Sequence, residues 1–117
     1  MNIATLTDKA MELRAHFDRA AQAAGRAPWT KEQIMQGFVV DVGALMKLVM
    51  AKSGARDAQD VDRKLGHELA DCLWSVLVLA ECYGLNLEQE FLTMIQAVSG
   101  ELSPPKSPPA VSNSADN

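Results

Sequence analysis

The chain has 117 residues, of which 48% are hydrophobic and 22% charged, with a formal charge of −4. That length and balance suit one soluble globular domain that needs no disulfide to fold. The net negative charge and the scatter of lysine and arginine exclude a phosphate-backbone binder, which depends on a basic stripe, so nucleic acid is not expected as a partner.

A first helix is predicted from about Thr5 to Ala24, with Thr5 and Asp8 in capping-box spacing and Gly25 as its stop. Its apolar positions Met11, Leu13 and Phe17 form a loose stripe. After the loop Gly25–Trp29, Thr30 and Gln33 make a second capping box. Ile34, Met35, Phe38, Val39, Val42, Leu45, Met46 and Val49 then recur at helical spacing until Gly54. A third helix begins near Asp57 or Asp60 and runs to Tyr83, before Gly84. Asn86 and Gln89 cap a fourth, which reaches Val98 and stops at Gly100. No alternating run marks a strand.

The expected fold is therefore all-α, a four-helix bundle over residues 1–102, followed by a disordered Pro- and Ser-rich tail over 103–117. A polyproline II stretch in that tail that binds a partner is the alternative to an inert one. The second and third helices are apolar around much of their circumference, which calls for central positions or a covering subunit. Asp71, Ser75, Glu81 and Asn86 interrupt the longest apolar stretch, Leu69 to Leu87, so no membrane span is expected. The N-terminal residues carry charge and no apolar signal region. Cys72 and Cys82 lack CxxC spacing and read as small buried hydrophobes in a reducing cytoplasm.

Two carboxylates stand where an apolar core should reject them. Asp41 lies within Phe38-Val39-Val40-Asp41-Val42, and Asp71 within Leu69-Ala70-Asp71-Cys72-Leu73. Glu68 precedes Asp71 by one turn and shares its face. A buried charge must be neutralised, paired or bound to metal. Three explanations stand open: a structural ion pair reaching from Lys47 or Lys64, a carboxylate cluster for a hard cation such as Mg²⁺ or Mn²⁺, or plain exposure to solvent.

The two segments VVDVGALMKLV and KLGHELADCLWSVLVLAECYGLNLE resemble the MazG-like all-α nucleoside triphosphate pyrophosphohydrolases. In that family an EExxE motif on one helix faces an ExxD motif on the next. Val40-Asp41-Val42-Gly43-Ala44 occupies the first place, and Glu68-Leu69-Ala70-Asp71 matches the second. The resemblance covers about Thr30 to Val98. Val40 and Ala44 depart from the motif, so three of the four usual acidic positions survive: Asp41, Glu68 and Asp71.

The resemblance implies a Mg²⁺-dependent enzyme (Mn²⁺ being the other candidate) that converts a nucleoside triphosphate to the monophosphate and pyrophosphate. Asp41, Glu68 and Asp71 would be its metal-binding and catalytic residues. Losing the carboxylate at Ala44 lowers the expected rate, and the alternative is an inactive nucleotide-binding or oligomerising helical module. Lys64, and less directly Lys47, are the candidate phosphate contacts. Trp29 and Trp74 are the candidates for the base, with Phe38 and His16 behind them. Trp74 also suits the core, and Trp29 suits a hydrophobic staple before Thr30. His67 reads as surface or interface. A homodimer or homotetramer is implied as well.

Overall fold

The computed structural model describes residues 1–54 and 60–102. The protein is all-α, with α1 (Ile3–Ala23), α2 (Lys31–Lys52), α3 (Val61–Cys82) and α4 (Leu87–Leu102), and no strand among the described residues. The Pro- and Ser-rich tail and the alternative helix start at Asp57 lie outside the described residues.

The helix ends show which local signals prevail. α1 starts before Thr5 because Asn2 is its N-cap: the Asn2 carboxamide oxygen accepts from both the backbone N–H and the hydroxyl of Thr5, each at 2.9 Å. Asn is among the strongest caps, so the predicted box of Thr5 and Asp8 gives way to it. At α2 the box is as predicted. The Gln33 N–H donates to the Thr30 hydroxyl at 3.1 Å, and the Thr30 N–H donates to the Gln33 side chain at 2.9 Å. Asp60 sits at the N-cap of α3 in the left-handed region (φ 54°) without a capping hydrogen bond, and its carboxylate pairs with Arg63 instead. Asn86 caps α4 through the Gln89 N–H at 3.0 Å, but the helix continues through Gly100. An interior glycine costs a helix only about 1 kcal/mol, so Gly100 weakens α4 without ending it.

The chain divides into two units after Gly84. In the first, α2 and α3 pack along their lengths and α1 lies on α3. Lys52, at the end of α2, pairs with Asp62 at the start of α3, and Asp41 meets Glu68 and Asp71 at mid-length, so the two helices are antiparallel. Ala10, Ala21, Ile34, Leu77 and Val78 form the buried core, with Ser75 the one buried polar residue among those described. Two polar ties fix α1. The Trp74 indole N–H donates to the Ala10 carbonyl at 3.1 Å, and the Arg14 guanidinium reaches Cys82 Sγ at 2.7 Å and the Trp29 carbonyl at 3.3 Å. Both cysteines are free and half-buried. The second unit begins with α4, on which Phe91, Leu92, Met94, Ile95 and Val98 are exposed.

Helix α2 is long and apolar enough to cross a membrane by length and composition, with a mean hydropathy of 1.6. The stretch Leu69–Leu87, which attracts attention in the sequence, is not the one that meets this test. Few α2 residues are buried, and its outward valines and methionines are left uncovered within the chain.

Candidate metal centre and adjoining cavity

Helical spacing and antiparallel packing together build the carboxylate cluster. Asp41 lies on the same inward face of α2 as Ile34, Phe38, Leu45 and Leu48, all of them buried or half-buried. Glu68 and Asp71, one turn apart on α3, point back at it. One carboxylate oxygen from each of Asp41, Glu68 and Asp71 lies within 4.8 Å of the others, and all three residues are half-buried. Of the three explanations open from the sequence, full exposure is therefore excluded. A structural pair with Lys47 or Lys64 is not formed among the described residues; both lysines are exposed, and neither lines the cavity described below.

Electrostatics make the cluster costly as it stands. Burial, then the charges of Asp41 and Asp71 and a hydrogen-bonding contact with Asp41, push the Glu68 carboxyl above its ordinary range, with His67 pulling the other way. Glu68 Oε1 is sealed from solvent and has no hydrogen-bond partner. The same causes, burial first and then Asp41, Glu68 and Asp71, push the Cys72 thiol up. Cys72 lies beside the cluster but is not among the residues whose donor atoms converge. The available donors are carboxylate oxygens, the set that suits a hard divalent cation, and an orphaned buried oxygen is what such an ion would satisfy.

A cavity of about 620 Å³ opens beside the cluster, and its lining includes Asp41, Asp71 and His67 together with the aromatic side chains of Phe17, Trp29 and Trp74. That volume falls within the range of small-molecule sites. Trp74 is half-buried. Its N–H is tied to α1, and its ring meets Phe17 edge-on at 5.8 Å while forming part of the wall. Trp29 is half exposed and lies over Gly37, where a Cβ would come within 3.0 Å of its ring. It lines the cavity together with Ile34, its partner position in a staple. Phe38 and His16 do not line this cavity. His16 instead tilts against Phe17, with ring centroids 6.1 Å apart.

Two further residues border the cavities: His67, read from the sequence as surface or interface, and Arg14. His67 is exposed, yet its Nε2 lies 3.3 Å from Asp71 Oδ2 and it lines the cavity. The (i, i+4) spacing of His67 and Asp71 is the sequence signal for this contact. Arg14 borders a second cavity of about 310 Å³ that shares Phe17, Trp29, Ile34 and Trp74 with the first. The (i, i+3) spacing of Arg14 and Phe17 on α1 puts both on one face, but no spacing in the sequence links Arg14 to Trp29, Ile34 or Trp74.

Set against known protein families, curated proteins and solved structures, the chain matches none of them.

Proposed function

We propose that the protein is a divalent-cation-dependent nucleotide pyrophosphohydrolase, with Mg²⁺ as the cation and a nucleoside triphosphate as the substrate. One observation carries this reading: three carboxylates converge, and two of them, Asp41 and Asp71, line a cavity that Phe17, Trp29 and Trp74 also line. The MazG-like pattern of Asp41 and of Glu68 with Asp71 supports the same chemistry.

In this reading Asp41, Glu68 and Asp71 hold the cation and so remove the repulsion that burdens Glu68. A bound Mg²⁺ neutralises phosphate oxygens and makes a water more acidic. His67 Nε2, beside Asp71 Oδ2, fixes the orientation of that carboxylate. Phe17, Trp29 and Trp74 offer ring faces for the base and exclude water from one side of the cavity. Hydrolysis between the α and β phosphates then releases the monophosphate and pyrophosphate.

Ala44 favours a second reading. It follows Asp41 by about one turn, is half-buried, and offers no ligand atom. A chain that holds one cation and a nucleotide but turns it over slowly or not at all fits that position. One assay series separates the two. Pyrophosphate release and thermal stability are followed with Mg²⁺ or Mn²⁺ and a panel of ribo- and deoxyribonucleoside triphosphates. Turnover supports the enzyme, stabilisation by cation and nucleotide without turnover supports the binding module, and no response to either ligand refutes both.

A further inference from the structure

Granted the nucleotide reading, on which this rests, we infer that the base it takes is guanine. The cavity of about 310 Å³ is the guanine subsite, where Asp18 accepts from N1–H and the N2 amino group and Arg14 donates to O6.

Helical spacing brings the polar groups together. Arg14, Phe17, Asp18 and Ala21 share one face of α1, and all four line this cavity. Phe17, Trp29, Ile34 and Trp74 line both this cavity and the larger one that holds Asp41 and Asp71. A nucleotide with its phosphates at the carboxylate cluster thus has three aromatic rings to stack on, and the Arg14–Asp18 pair beside those rings.

The fold uses only part of Arg14. One terminal nitrogen donates to Cys82 Sγ and the other to the Trp29 carbonyl, whereas Nε is screened from solvent and has no hydrogen-bond partner. Asp18 Oδ2 lies 3.9 Å from that Nε, too far for a hydrogen bond, and Asp18 makes no other ion pair among the described residues. A closed Arg–Asp pair would satisfy both groups. This one leaves a buried donor and a carboxylate side by side and unbonded, which calls for a third party.

The chemistry of the pair selects the ligand edge. Among the common bases only guanine sets two neighbouring N–H donors, N1 and the N2 amino group, next to a carbonyl. A carboxylate takes those donors with both oxygens, and an arginine suits O6. Adenine, cytosine and uracil leave one carboxylate oxygen idle. Ring stacking joined to hydrogen bonds along the Watson–Crick edge is how proteins commonly read an unpaired base. A simple anion fits less well. Arg26 also lines the cavity, but it is exposed, and an anion drawn to the two arginines would meet the Asp18 carboxylate beside Arg14.

The test is the nucleoside selectivity of the full chain in EDTA, a condition that does not call on the carboxylate cluster. Trp29 and Trp74 are the two tryptophans of the chain and both line the cavity, so quenching of their fluorescence reports occupancy, with calorimetry beside it. Guanosine and GMP should bind at least about tenfold more tightly than the adenine, cytosine and uracil counterparts, the scale of one good bidentate contact. Inosine, which lacks the N2 amino group, should lose a similar factor against guanosine. In Asp18→Asn the two should bind alike, a change in discrimination that a merely structural role for Asp18 would not produce. Equal affinity for the four nucleosides, or for guanosine and inosine in the wild type, overturns the inference, as does inorganic phosphate that binds more tightly than GMP. Triphosphates that bind with Mg²⁺ regardless of base refute guanine selection and leave the proposed function standing. Preference for guanosine without hydrolysis of any triphosphate supports the subsite and refutes the enzyme. Binding of no nucleoside or nucleotide under either condition overturns both.

Discussion

The α2–α3 pair has two faces that break the ordinary rule of burial in opposite ways. On the cavity side, carboxylates are half-buried among apolar neighbours. On the outer side, valines, leucines and methionines stand in the open. Both arrangements cost stability in an isolated chain, since a desolvated charge and an uncovered apolar stripe are each unfavourable. The two departures differ in what would relieve them. A point of negative charge calls for a cation, while an extended apolar seam calls for another surface of similar length.

The largest expected effect lies on the cavity side. Asp71→Asn keeps the volume of the side chain and its contact with His67 but removes one of three anionic ligands. Turnover should fall by at least about a hundredfold, in line with the several kcal/mol that a metal contributes to charge stabilisation, and Mn²⁺ binding read by calorimetry should weaken in parallel. Unchanged cation binding in this variant would detach the cluster from any metal role.

Glu68 gives the next effect, on stability and its pH dependence. Its carboxyl is raised in the folded chain, so between the unfolded value and the raised one the folded state holds more protons than the unfolded state. Stability must then fall as pH rises through that window, and the penalty stays in place above it. In EDTA, Glu68→Gln should flatten this slope and raise stability at pH 7.5, because the amide keeps the shape of the side chain and removes its charge from the burial and from the repulsion with Asp41 and Asp71. The wild type should recover that difference on addition of Mg²⁺ and the variant should not. Melting curves from pH 4 to 8, with and without the cation, read both outcomes. A wild type whose stability rises across the window relative to the variant would contradict the assigned direction.

Ala44→Glu probes the gap in the cluster. A carboxylate restored one turn after Asp41 should tighten Mn²⁺ binding by about tenfold, the order expected when one good ligand is added or lost. It should also raise any pyrophosphate release. Without added cation the same variant should be less stable, because a fourth negative charge joins three that already repel. Binding that weakens instead would mean that Ala44 does not face the cluster.

Legibility differed between the faces for physical reasons. Asp41, Glu68 and Asp71 stood out in the sequence because charge inside an apolar helix is rare, and helical spacing alone placed Glu68 with Asp71. The outward valines, leucines and methionines were just as visible, but a buried face and an exposed apolar face use the same residues, so exposure had to come from the structure. Local signals succeeded where no competitor stood nearby, as at Thr30. They failed at Thr5, where Asn2 offers an earlier cap, and at Gly100, where one glycine is too small a penalty to end α4. The clamp of Arg14 on Trp29 and Cys82 joins residues far apart in the chain, and no periodicity encodes such a contact. Charge and proximity in sequence point to Lys47 and Lys64, but both are exposed on α2 and α3 and neither lines the cavity.

The smallest effect sharpens the contrast most directly, because it depends on protein concentration. Met46 is 59% exposed and Ile34 is 2% exposed, one outside and one inside on the same helix. Ile34→Ala should cost about 2–5 kcal/mol at any concentration, as truncation in a packed core does. Met46→Ala should cost less than about 0.5 kcal/mol in dilute solution, the usual limit for a surface change. Self-association through the outer face would make the wild-type melting temperature climb with concentration by mass action while that of Met46→Ala lags behind. Melting curves taken over a hundredfold range of concentration measure that divergence. Parallel curves at all concentrations would show that the outer face is surface and nothing more, leaving the cavity side as the only one of the two departures with a use.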